Sequence, residues 1–187
     1  MNYVYNKNLA NCTPSKIREF NSLASKLNAK FKLTLGEPDF DTPIEVKDAL
    51  IEAVNQNHTR YAPTVGNKNL REEICKFEKR VNKVSYEPDE VLITTGSTEA
   101  LTAALFTLLN QDDEVIVPIP CYALYEPVIS YCGAKMIPLD TRPDFQISKG
   151  HLEALINNKT KAILLTSPNN PTGTIYDDKT LENIYNI

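Results

Sequence analysis

The chain has 187 residues, 42% hydrophobic and 24% charged, which suits a globular protein of one domain or little more. Its net charge of −4, with basic residues scattered rather than clustered, gives no footprint for nucleic acid. No apolar run approaches the roughly 20 residues of a membrane span, and Met1-Asn2-Tyr3-Val4-Tyr5 lacks the basic-then-apolar form of a secretory signal, so a cytoplasmic location is expected.

In chain order, Thr13-Pro14 reads as a helix cap followed by proline, opening an amphipathic helix through Ile17, Phe20, Ala24 and Leu27. Phe31 to Leu35 alternates like a strand and runs into the turn Gly36-Glu37-Pro38-Asp39. Thr42-Pro43-Ile44-Glu45 has the form of a capping box, and the helix after it should bury Val46, Leu50 and Val54. An irregular stretch from His58 to Gly66 separates it from a helix with Leu70, Ile74, Phe77 and Val81 on one face.

From residue 91 the pattern becomes strand–helix alternation. Apolar runs at Val91–Thr95, Val115–Ile119, Met136–Leu139 and Ala162–Thr166 predict strands. Helical patterns lie between them, through Leu101/Ala104/Leu105/Leu108, Tyr122 to Cys132, and Leu152/Leu155/Ile156. A last helix begins at Asp177 and runs through Leu181, Ile184 and Tyr185. Short apolar strands joined by helical crossovers predict an α/β fold on a mostly parallel sheet. The four cysteines, Cys12, Cys75, Cys121 and Cys132, form no C-x-x-C pair, and His58 and His151 have no ligand partner nearby in sequence, so neither a metal site nor a disulfide framework is expected. The N-x-T triplets at Asn11, Asn57 and Asn158 carry no weight without a secretory route.

Five segments carry candidate chemistry. Ser167-Pro168-Asn169-Asn170-Pro171-Thr172-Gly173 follows an apolar strand and holds a polar amide at its carboxyl end, where open α/β sheets bind ligands. Thr94-Thr95-Gly96-Ser97-Thr98-Glu99 joins a strand to a helix, whose N-terminal N–H groups and partial positive charge suit an anion. The remaining three are Leu35-Gly36-Glu37-Pro38-Asp39, Tyr61-Ala62-Pro63-Thr64-Val65-Gly66-Asn67-Lys68-Asn69-Leu70-Arg71, and Pro120-Cys121-Tyr122-Ala123-Leu124-Tyr125. Taken singly, each also reads as ordinary structure: a strand-to-helix turn, an exposed tyrosine loop, a helix cap, a core tyrosine, a proline-rich turn. The Gly96 turn lacks the G-x-G-x-x-G spacing of a dinucleotide site, and fold alone does not make a nucleotide-binding module.

Together, and in this order, the five segments resemble the N-terminal portion of the class I/II aminotransferases, fold type I enzymes dependent on pyridoxal 5′-phosphate (PLP). The resemblance implies a three-layer αβα large domain, incomplete at its C-terminus. Residues 1–42 would form an N-terminal arm and the start of the small domain, and residues 43–187 part of the PLP-binding large domain. Gly96, Ser97 and Thr98 would form the phosphate cup, Tyr122 would stack on the pyridine ring, and Asn170 would bond the phenolic oxygen. Tyr61 would reach the cofactor phosphate of a neighbouring subunit in a homodimer, and the backbone N–H of Gly36 would meet the substrate carboxylate. The family more often has serine where this chain has Ile119.

The implied activity moves an amino group between an amino acid and a 2-oxo acid, as part of amino acid metabolism, with no metal. The family's Schiff-base lysine and the acid facing the pyridine nitrogen are expected downstream of Ile187, so the isolated chain is expected to be inactive. Ser148-Lys149 superficially matches the family's Ser-Lys pair, but it precedes Ser167-Pro168 and lacks the basic-glycine context, so Lys149 reads as a solvated helix-start residue. Two alternatives stay open: a catalytically silent fragment or half of a split enzyme, and another fold type I PLP enzyme, a lyase or synthase.

Overall fold

The computed structural model describes residues 6, 16–27, 31, 33–34 and 36–187. They fall into two units, Lys16–Ser97 and one whose described part is Thr98–Ile187 together with Asn6.

The second unit is built on a parallel sheet of three strands, β1 (Glu114–Ile119), β2 (Lys135–Asp140) and β3 (Thr160–Ile163), in the order β2-β1-β3. β1 pairs along its whole length with β2, from Glu114 opposite Lys135 to Ile119 opposite Asp140. Its register with β3 shifts once, between Glu114 and Val115. Val115, Ile116 and Val117 are fully buried, because a central parallel strand is covered on both faces and so reads as an unbroken apolar run.

Alternate β1 side chains feed two cores, as the period of two requires. Val115 and Val117 pack with Leu105 and Leu109 from the end of α4 (Ser97–Leu108) and the turn after it, and with Tyr125, Val128 and Ile129 of α5 (Tyr125–Tyr131). Ile116 packs on the other face with Leu139, Ile147, Tyr176 and Leu152 of α6 (Lys149–Glu153), with Ile184 of α7 (Asp178–Tyr185) against the same cluster. Two helices on each face of the parallel sheet that the alternating pattern predicts give the three-layer αβα arrangement that the family resemblance implies. Gln146 ties α7 down by accepting from the Asp177 N–H at 3.0 Å and the Thr180 hydroxyl at 3.1 Å.

The first unit holds α1 (Lys16–Lys26), α2 (Ile44–Asn55), α3 (Lys68–Val81) and a 3₁₀ turn at Pro88–Glu90. The helix predicted after Thr13-Pro14 is present, while the cap itself lies outside the described residues. Three expectations need correction. The capping box at Thr42 does not form: α2 is capped at Pro43, which has no side-chain acceptor. Val46, Leu50 and Val54 are exposed, Leu50 at 66%, as are Leu70, Phe77 and Val81 on α3. The stripes exist, but every buried hydrophobic among the described residues lies between Leu105 and Tyr176, so nothing described covers them.

The third correction concerns two predicted strands. Phe31, Leu33 and Thr34 are not in a ladder, and Val91–Thr95 is extended without strand pairing. A strand is a statement about a partner, and alternation in one segment does not supply one. In the second unit the strands run slightly differently from the predicted ranges; the third ends at Ile163, although the Leu164 N–H still reaches Ile116 O at 2.9 Å. On α4, Leu105 is buried but Ala104 and Leu108 are exposed. On α7, Leu181 and Tyr185 are exposed and Thr180 is the buried residue.

Candidate functional site

At the carboxyl ends of β1 and β3, two neighbouring strands of the sheet, the following loops are fastened to one another. The Asn169 amide donates to Pro120 O at 3.0 Å, across to the loop that follows β1. The same amide donates to Thr172 Oγ1 at 2.9 Å, while Asn169 N–H bonds Thr174 O and Asn169 O accepts from Gly173 N–H, both at 2.8 Å. The peptide bonds Ile119–Pro120, Ser167–Pro168 and Asn170–Pro171 are cis. A second bridge joins the same two segments: the Tyr125 hydroxyl lies 2.5 Å from Thr166 Oγ1.

This wiring separates residues that look alike in sequence. Asn169 is half-buried and its side chain is used inside the loop, whereas Asn170 is exposed and its amide bonds to no described residue. An exposed amide held on a fastened loop is free to bond something that is not part of the chain. The two tyrosines divide in the same way. Tyr125 is buried and hydrogen-bonded, and Tyr122 sits edge-on to it with centroids 5.6 Å apart and planes at 82°. Tyr122 is only half-buried and follows by two residues the Pro120 carbonyl that Asn169 holds. Cys121, next to it, has its thiol pushed up by burial and, secondarily, by Glu126, so it stays protonated and unreactive near neutral pH.

The Gly96 turn ends the first unit. Helix α4 begins at Ser97, where the sequence places it, and its first N–H groups have no partner within the helix. Gly96 has φ +83°, a conformation that disfavours other residues, and a Cβ there would meet nothing within 4 Å. Gly96, Ser97 and Thr98 are exposed. An open, positively polarised turn of this kind is suited to an anion. Gly66 is the opposite case: its φ is +95°, and a Cβ would lie 2.4 Å from Ile93 Cβ, so this glycine serves packing.

Tyr61 is fully exposed and touches no hydrogen-bond partner among the described residues. Gly36 is exposed with open space around it and no positive φ, so neither strain nor crowding requires glycine there. Lys149 is half-exposed, opens α6 and pairs with Glu153 at 3.6 Å, as expected for a solvated helix-start residue.

A cleft of about 550 Å³ lies elsewhere in the second unit, between the Asp140–Ser148 segment and α7. Its walls include Lys149 but none of the residues proposed from the sequence to hold cofactor or substrate. There Arg142 forks onto Asp140 at 2.9 and 2.5 Å, and that pair holds the Asp140 carboxyl down to about 2. Among the described residues there is no cluster of His, Cys, Asp and Glu able to hold a metal ion, and no helix long and apolar enough to cross a membrane.

The sequence reading missed the role of Asn169 and of the Tyr125–Thr166 bridge. A strand end followed by two adjacent asparagines was the available signal, since one of the two must satisfy the turn.

The parallel sheet, with helices on both faces, places the loops after β1 and β3 at its carboxyl edge, where open α/β folds bind ligands. The model of the family "Aminotransferase class I and II" matches residues 28–187, and the chain belongs to that PLP-dependent family. It is 34% identical over 174 residues to aromatic-amino-acid aminotransferase 2 of Thermococcus litoralis, covering 91% of this chain and 45% of the relative. It is also 34% identical over 181 residues to an aspartate aminotransferase of Bacillus subtilis, covering 94% of this chain and 46% of the relative. The structure of Thermus thermophilus aspartate aminotransferase with maleate superposes with a TM-score of 0.92 at 33% identity, covering 98% of this chain and 50% of that one. The chain thus spans about half the length of the relatives it matches.

Proposed function

We propose that this chain is the N-terminal part of a PLP-dependent aminotransferase that moves an amino group between an amino acid and a 2-oxo acid. The observation that carries the reading is the fastened loop pair, which uses Asn169 internally and leaves Asn170 exposed and unbonded. When bound, PLP withdraws electrons from the α-carbon of an amino acid.

The residues here would bind and orient that group. Gly96, Ser97 and Thr98 would hold its phosphate at the start of α4, Tyr122 would keep its ring flat, and the Asn170 amide would donate to its phenolic oxygen. The exposed Tyr61 would serve the phosphate site of a second subunit in a homodimer, and Gly36 would offer its N–H to the substrate carboxylate. Residues 43–187 are read as part of the cofactor domain, after an arm and the beginning of a smaller domain in residues 1–42. The Schiff-base lysine is not assigned to any residue of this chain, and the isolated chain is expected to be inactive. A cytoplasmic setting fits this metabolic role. The relatives' differing substrate names, aromatic amino acids and aspartate, leave the amino acid itself open.

The test uses the protein with the polypeptide that continues this chain in place. With PLP, a donor amino acid and 2-oxoglutarate it should turn over, and residues 1–187 alone should not. Changing Asn170→Ala should weaken PLP binding by roughly ten- to a hundredfold, the loss of a hydrogen bond to a charged group. Turnover by residues 1–187 alone, or indifference to the change at Asn170, would contradict this reading.

A further inference from the structure

Arg71 stands out in the first unit because it is the buried residue of a helix whose Leu70, Phe77 and Val81 are exposed. It lies on α3 at 8% exposure, and its Nε is buried with no hydrogen-bond partner. Its Nη1 donates to Pro88 O at 2.5 Å and to Asp89 Oδ1 at 3.3 Å. Asp89 is almost wholly exposed, so the ion pair is weak and the carbonyl of Pro88 is the principal contact. A guanidinium buried with an orphaned N–H stabilises less than an aliphatic side chain of similar size would. What the Nη1 contact with Pro88 O supplies in exchange is a fixed position for the Pro88–Glu90 turn.

That turn is the start of the extended segment leading to Gly96. Glu90 closes it by accepting from the Glu87 N–H at 2.8 Å. Val91–Thr95 then runs without strand pairing, so discrete ties hold it rather than a ladder. One is Arg71 at the turn. Another is midway, where the Ile93 N–H donates to Val65 O at 3.1 Å and Gly66 lies flat against Ile93. Three residue steps from Val91 to Thr94 span about 10 Å of extended chain before the Gly96 N–H closes back on Thr94 O, so a tilt of about 6° at the turn moves the start of the Gly96 bend by about 1 Å.

We infer that Arg71 is a positioning residue for the phosphate-binding turn, setting the line along which Val91–Thr95 delivers Gly96, whose own N–H is spent on Thr94 O at 2.9 Å, and the Ser97 N–H at the start of α4. This rests on the proposed assignment of Gly96–Thr98 to the cofactor phosphate. Arg71 acts through the Pro88 carbonyl and touches neither cofactor nor substrate. Its removal therefore affects ligands that carry a phosphate and leaves those that lack one nearly unchanged.

The test compares the binding of PLP and of pyridoxal, which has no phosphate, to the full-length protein, by absorbance or fluorescence titration. Wild type should prefer PLP. In Arg71→Met the preference should fall by about tenfold or more, because an ångström of misplacement is costly in a preorganised site, while pyridoxal affinity changes less than about twofold. Arg71→Lys, whose ammonium keeps the charge and can still donate to the Pro88 carbonyl but from a shorter and less rigid side chain, should recover part of the preference, and carries the same test if the methionine variant fails to fold.

A lowered melting temperature with the PLP preference intact would overturn the inference and leave the phosphate site standing. An equal loss of affinity for both ligands would overturn it too. A wild-type protein that binds both ligands equally would remove the phosphate site itself, and this inference with it.

Discussion

At the scale of single residues, the two adjacent asparagines show how one residue type can do opposite work. Asn169 spends its amide on Pro120 O and Thr172 Oγ1, so Asn169→Ala should leave Pro120 O without that donor, leave Thr172 Oγ1 with only the Thr174 N–H, and destabilise the protein by about 1–3 kcal/mol. Chemical denaturation of the full-length protein checks this. The same change at Asn170, whose side chain bonds nothing described, should leave stability within about 0.5 kcal/mol while weakening PLP. Asn170 was legible in the sequence through its place in a motif. Asn169 was not, because the residue type does not say whether an amide turns inward. Arg71 was harder still: charged residues on a helix are expected outside, and only the geometry shows this one folded beneath a turn.

Among the elements, α7 offers a clean electrostatic test. Its N-cap Asp177 accepts from the Thr180 N–H at 2.7 Å, and that bond holds the carboxyl below its ordinary 3.8. The unfolded chain, with the ordinary value, binds more protons in the interval below 3.8, so stability there falls as pH falls. The contribution is fully present above pH 3.8 and is lost as pH drops through the lower, folded value. Asp140, held down to about 2 by Arg142, adds in the same direction and is lost lower still. Replacing Asp177→Asn keeps an acceptor but removes the titration, so the acid limb of a plot of stability against pH should flatten. A steeper limb in that variant would count against the cap. Helices were well placed by periodicity, since a stripe is a local property. Val91–Thr95 was read as a strand because its composition is right, yet pairing depends on a neighbour that the segment itself does not encode.

Across the whole chain, the apolar content is unevenly used. All the buried hydrophobics described belong to the second unit, while α1, α2 and α3 present Phe20, Leu50, Val54 and Phe77 to solvent, and β2 and β3 have unpaired outer edges among the described residues. Open edges and uncovered stripes favour association. Residues 1–187 alone should therefore self-associate in a concentration-dependent way on size-exclusion chromatography. The polypeptide carrying its continuation should run as one defined species. A monodisperse, monomeric short chain at high concentration would refute this. The α/β class with its parallel sheet was legible from strand–helix alternation. Which amphipathic faces find cover was not, because burial belongs to the partner surface as much as to the stripe.

The amide link from Asn169 to Pro120 has a mechanical consequence. Tyr122 and Asn170 sit on segments clasped by this link and by the Tyr125–Thr166 hydroxyl pair, so the ring proposed to bind here would be gripped on its face and at its rim by a single jaw. Cutting the clasp should loosen both grips at once.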